Sequence, residues 1–139
     1  MSQIDEDCWI RFGEGQGLVA LTVRPQSGPA YGFLTLVQFK AAQLEGQREV
    51  TLINVDDFTA QLRRMHETLQ GRASIESLEH DLVLTLESGP LGSIPVTVRI
   101  GERWGGPVDF ELKFKFAIDQ SYLPTIIAGL SRQFSGVGR

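Results

Sequence analysis

The chain has 139 residues, 42% of them hydrophobic and 22% charged, with a formal charge of −4. That composition excludes a wholly disordered chain and suits one α+β domain over residues 1–139, burying roughly two-thirds of the surface its unfolded form exposes. The thirteen basic residues are scattered, with only Arg63-Arg64 adjacent. Phosphate binding needs clustered Lys and Arg, so nucleic acid is not an expected partner. A single cysteine, Cys8, rules out an intrachain disulfide, and no apolar run approaches the length that spans a bilayer.

The first seven residues, Met1 to Asp7, are polar and acidic, the opposite of a signal peptide, and point to a cytoplasmic protein. Cys8, Trp9, Ile10 and Phe12 make a short first strand. Gly13-Glu14-Gly15-Gln16-Gly17 reads as a turn into a second strand, Leu18 to Val23, and the pair reads as a hairpin. Arg24 to Ala30, with two prolines and a glycine, is a loop. A strand then runs through Phe33, Thr35, Val37 and Phe39, with a helix from Lys40 to Leu44 as the competing reading. Gly46 is expected to break the run before another strand at Val50, Leu52 and Ile53.

Asn54 or Asp56 then caps a helix whose stripe is Phe58, Leu62, Met65 and Leu69, and Gly71 stands where a helix end favours a left-handed residue. Ala73 to Glu79 reads as a strand with Ala73, Ile75 and Ser77 on one side. From His80 onward the pattern is clearest. Leu82, Leu84 and Leu86, then Ile94, Val96, Val98 and Ile100, then Val108 to Ile118 at every second position, give three strands with one apolar and one wet face. One wet face favours antiparallel pairing. Asp119 or Ser121 caps a closing helix whose stripe, Leu123, Ile126, Ile127, Leu130 and Phe134, is the natural cover for those strands. The expected architecture is an antiparallel meander of about seven to eight strands with two amphipathic helices, in the order strands, helix, strands, helix.

No motif in this chain carries catalytic chemistry. Gly13-x-Gly15-x-Gly17 lacks the following helix that a phosphate loop requires. His66 and His80 have no partners at zinc-ligand spacing, and no nucleophile elbow accompanies the His80-Asp81 pair. Cys8, beside Asp7, reads as a packed thiol. Asp56-Asp57 suit a helix start as cap and dipole partners. Trp104, within Arg103-Trp104-Gly105-Gly106-Pro107, either folds over a sheet edge or stands exposed as an anchor for a partner. Neither a metal nor a cofactor is expected.

Four segments carry a family likeness. They are Phe58-x3-Leu62 to Gly71-x-Ala73, Ser77-Leu78-Glu79-His80-Asp81-Leu82-x-Leu84, Gly92-x2-Pro95-Val96-x-Val98, and Asp119-Gln120-x2-Leu123. Together they resemble the small bacterial proteins grouped as WapI-like immunity proteins, while residues 1–55 add little. The resemblance implies a cytoplasmic, non-enzymatic protein, some of whose relatives neutralise a toxin domain by binding it. Relatives often carry a tryptophan in the last strand, where this chain has Phe110, and no family binding motif transfers to it.

The leading reading is therefore a binding protein of the immunity type, meeting a basic toxin domain through Asp56, Asp57, Glu76, Glu79 and Glu87 with Trp104 as anchor. A second reading is a small-molecule binder, hinted at by Thr35, Gln38 and Thr51 among apolar neighbours. An enzyme would have to unite His66, His80 or Cys8 across the fold. A homodimer is compatible with each.

Overall fold

Alternation at every second position lays both halves of the chain down as antiparallel meanders. In the computed structural model, which describes residues 9–23, 32–102 and 109–134, β1 (Ile10–Glu14), β2 (Gly17–Val23), β3 (Phe33–Ala41) and β4 (Leu44–Leu52) pair in that order as one sheet. Helix α1 (Val55–Thr68) follows. A second sheet, again in chain order, is built from β5 (Arg72–Glu76), β6 (Leu82–Glu87), β7 (Ser93–Glu102) and β8 (Phe110–Asp119), and helix α2 (Leu123–Gln133) closes the chain. The expected α+β order holds. The eight strands divide into two sheets of four, and the N-terminal hairpin belongs to the first.

The register of the second sheet follows its apolar pattern. Leu84 stands opposite Val98, which stands opposite Phe114; Leu86, Val96 and Phe116 form the next row. A slip of one residue would turn all of these to water. The β6 and β7 members are buried, whereas cover thins along β8. Ile118 is buried, Phe116, Phe114 and Leu112 are half-buried, and Phe110 is 44% exposed. The α2 stripe is not the lid expected for this face, because it packs chiefly against α1 and β1. Helix α1 covers β5, and the first sheet reaches β8. One apolar cluster runs through both sheets and both helices.

Several local expectations are corrected. No helix forms at Lys40–Leu44; the chain turns at Ala42-Gln43 and returns as β4 through Gly46. Gly46 does not break the strand, because its missing side chain makes room for a ring: a Cβ there would sit 2.6 Å from Phe39 Cζ. The left-handed residue ending α1 is Leu69 at φ 60°, not Gly71. Asn54 stands at the N-cap position, yet it is left-handed and makes no side-chain cap bond. Strand β5 ends at Glu76, and Ser77 instead forms a lone bridge to Leu52. Asp119 does not cap α2 itself: it accepts from Ser121 N at 2.9 Å and caps the 3-10 turn Gln120–Tyr122 that leads into the helix, whose own N-cap, Tyr122, makes no side-chain cap bond. Cys8, Arg24 to Ala30, Trp104 and Val108 lie outside the described residues.

Of the three glycines read as turn residues, only Gly15 lies in the two-residue loop. Gly13 and Gly17, one register step apart on β1 and β2, both lie beneath Phe116 of β8. A methyl group on Gly13 would collide with the Gly17 carbonyl oxygen and the Phe116 ring, and one on Gly17 would lie 2.7 Å from Phe116 Cβ. Two residues along β8, Phe114 pairs with Phe39 of β3 at a centroid distance of 6.4 Å. Contact thus passes from β1–β2 to β3 as β8 advances, so β8 crosses the first sheet rather than running along it. Gly13, at φ 91°, also needs a conformation that few side chains tolerate. Gly13→Ala is expected to cost about 1–3 kcal/mol in denaturant unfolding. Gly15→Ala, left-handed but with nothing near its Cβ, is expected to cost only about 1 kcal/mol.

Candidate partner-binding surfaces

The acids singled out from sequence do not form one patch. Asp56 and Asp57 are exposed in the first turn of α1. The Leu52–Ser77 bridge, with Leu78 N donating to Thr51 O at 2.8 Å, brings the segment after β5 beside the chain entering α1. Exposed Glu79 and Leu78, 47% exposed, therefore share an end of the molecule with that turn. Glu76 is engaged by His80 Nδ1 at 2.9 Å. Glu87 lies at the far end of the β5–β6 ladder, opposite Arg72 and 3.8 Å from its Nε. Trp104 lies outside the described residues.

The Ser77-to-Leu82 step is a joint. Ser77 is fully buried, and its hydroxyl donates to Asp81 while accepting from Leu82 N at 2.9 Å. The other Asp81 oxygen accepts from Arg48 of β4 at 2.9 Å. Arg48 also donates to Gly101 O at 2.9 Å and lies 3.4 Å from Glu102. One guanidinium thus ties the first sheet to β7 and to the turn before β6. Its Nε is buried without a hydrogen-bond partner, so the geometry is held at the expense of one donor. A signal for Arg48 existed in the sequence: it is in phase with Val50 and Leu52, where a strand buries its side chains.

A groove of about 520 Å³ opens between β1, the outer strand of its sheet, and α2. Gly129 sets its depth, because a Cβ there would lie 2.9 Å from Ile10 Cγ1, and the bare backbone lets α2 lie against β1. Buried Ile10 and Ile126 form the floor, half-buried Trp9 and Tyr122 the walls, and exposed Glu14 and Arg132 stand on the rim. The Tyr122 phenol donates to the Glu14 carboxylate. This bond, then desolvation and the charges of Glu14 and Asp119, raise its pKa above the ordinary phenol value. The hydrogen bonds that Asp119 accepts from the Ser121 side chain and backbone lower its pKa.

The polar positions expected to mark an interior pocket do not converge. Thr35 donates to Phe33 O in its own strand, and Gln38 donates to Gln47 on the exposed side. Half-buried Thr51 offers its carbonyl to Leu78 N. His66 is exposed on α1, and among the described residues no three His, Cys, Asp or Glu side chains are grouped to hold a metal ion.

Two predictions arise from this geometry. Asp81→Ala strands both Ser77 and Arg48 and is expected to cost about 2–3 kcal/mol by denaturant unfolding. In an Arg48→Met background the same change is expected to cost about 1 kcal/mol less. A raised folded pKa means that the Tyr122 bond stabilises fully below the unfolded phenol value and is lost as pH rises through the folded one. Glu14→Gln in a Tyr31→Phe background, where Tyr122 is the remaining tyrosine, is expected to shift the tyrosinate absorbance titration to lower pH.

No curated protein and no solved structure matches the chain. The family model of the Immunity protein WapI-like family matches residues 36–137. The match begins within β3 and so takes in Arg48 as well as Ser77 and Asp81. It spans well over half of the sequence, and the chain belongs to the Immunity protein WapI-like family.

Proposed function

We propose that this chain is a non-enzymatic immunity protein that neutralises a toxin by binding it directly and occluding the surface the toxin works with. The family match over residues 36–137 carries the reading. The exposed acids around the entry to α1 support it, since Asp56, Asp57 and Glu79 flank an exposed apolar side chain, Leu78. Such a surface suits a basic partner, because attraction between opposite charges raises the encounter rate more than the final affinity. Glu76 is engaged by His80, and Glu87 lies at the far end of the β5–β6 ladder, away from this surface. Trp104 remains the proposed aromatic anchor.

The test begins with tagged protein in lysate of its native cells. It is expected to retain a stoichiometric toxin-like protein through moderate salt, and the purified pair is expected to lose the toxin's activity. An empty bait from cells that express the neighbouring genes would refute the proposal. With the purified partner, the triple variant Asp56→Lys, Asp57→Lys, Glu79→Lys is expected to slow association about tenfold at low salt, with less effect at high salt. Glu87→Lys is expected to leave the rate within about twofold.

A further inference from the structure

We propose that β8 is a docking edge for a second copy of this chain, paired antiparallel about Leu112 so that Glu111 of each copy meets Lys113 of the other. The proposal goes beyond the toxin reading, and its test needs this chain alone. Three observations carry it.

The first is an open main-chain edge. Gly101 N donates to Asp81 O, so odd-numbered residues of β7 bond toward β6 and even-numbered ones toward β8. Ile100 stands opposite Leu112 and Val98 opposite Phe114, so the N–H and C=O groups of Glu111, Lys113 and Lys115 point to the other side. No strand pairs there, and nothing else bonds these groups, among the described residues. Phe110–Asp119 pairs with β7 at ten consecutive positions and holds no positive φ, so the edge keeps regular strand geometry.

The second is charge order. From Asp109 to Lys115 the chain reads acid, Phe, acid, Leu, base, Phe, base, a pattern that is its own complement when reversed. Pairing about Leu112 sets Glu111 opposite Lys113 of the second copy and Asp109 opposite its Lys115, each twice over. Neighbouring centres fail. Glu111 or Lys113 at the centre meets its own copy, Phe110 sets Asp109 against Glu111, and Phe114 sets Lys113 against Lys115. Within one chain Lys113 stands directly opposite Arg99, which takes one Glu111 oxygen at 2.8 Å and leaves the other free to accept. Neither Lys113 nor Lys115 has an ion-pair partner among the described residues. Glu111 of the second copy relieves the like-charged Arg99–Lys113 pair.

The third is thin apolar cover on the opposite face of the strand. Phe110 is exposed, Leu112 and Phe114 are half-buried, and Phe114 stacks on Phe116 at 6.0 Å. The added strand brings its own Phe114 opposite Phe110 and its Leu112 opposite Leu112, so the aromatic row continues across the two-fold axis. The contact is isologous and closes as a pair, joining two four-stranded sheets into one.

Sedimentation velocity over a dilution series of the full chain is expected to show a monomer–dimer equilibrium. Glu111→Lys and Lys113→Glu each replace two complementary contacts by two like-charged ones, and each is expected to weaken it at least about tenfold. Mixed together, the two variants are expected to recover a dimer, as is the double variant Glu111→Lys, Lys113→Glu by itself. A centre at Lys113 gives no such recovery. Both positions are exposed, and hydrogen exchange in the parent gives a readout free of any substitution: the amides of Glu111, Lys113 and Lys115 are expected to gain protection as concentration rises. A monomer at every concentration, with those amides unprotected, would overturn the proposal and leave the lysines as guards of an open edge. A dimer indifferent to the single variants, or single variants that do not pair on mixing, would overturn it equally. None of these outcomes involves the toxin, so the immunity reading stands or falls separately.

Discussion

Phe116 lies on a floor made by Gly13 and Gly17, and the rest of the molecule depends on that contact. Two four-stranded sheets each present an apolar face, and two helices of 14 and 11 residues cannot roof both. The sheets must cover one another. Because β8 crosses the first sheet, its aromatic side chains meet strands at intervals rather than along a shared ladder. Bare backbone at Gly13 and Gly17, and again at Gly46 beneath Phe39, gives those rings somewhere to lie.

A polar joint fixes the angle that the aromatic contact leaves free. Dispersion and burial favour contact but not direction, whereas the Arg48 fork must meet the Asp81 carboxylate, the Gly101 carbonyl and Glu102 together. Ser77 holds the same carboxylate from below. The Ser77 to Asp81 step carried much of the family likeness in sequence, and its chemistry here is that of a buried turn. The motif therefore has a structural role: its residues are occupied in holding two sheets together.

That division leaves the outer surfaces available for a partner. The acidic end around Asp56, Asp57 and Glu79 is formed where β4 leaves the first sheet and the chain returns past Leu78. The β1–α2 groove exists because Gly129 lets the last helix lie on the first strand. Both surfaces join segments distant in sequence, and both are consequences of how the halves are fastened rather than of any local motif.

The sequence by itself determined the elements: period-two alternation wrote β6, β7 and β8, and helical spacing with Asp119 ahead of it wrote α2. The family was legible too, since its residues are local steps such as Ser77-Leu78-Glu79-His80-Asp81-Leu82. Glycine was read for its backbone freedom, which served at Gly15 but missed Gly13, Gly17, Gly46 and Gly129, where the absence of a side chain matters to a neighbour far along the chain. The same limit hid Arg48, whose partners lie 33 and 54 positions away. Only the tertiary structure decided that the strands form two sheets, that α2 covers β1 and α1, and that the acids divide between two ends. A side chain's alternation records which face it occupies, and carries no information about what that face will meet.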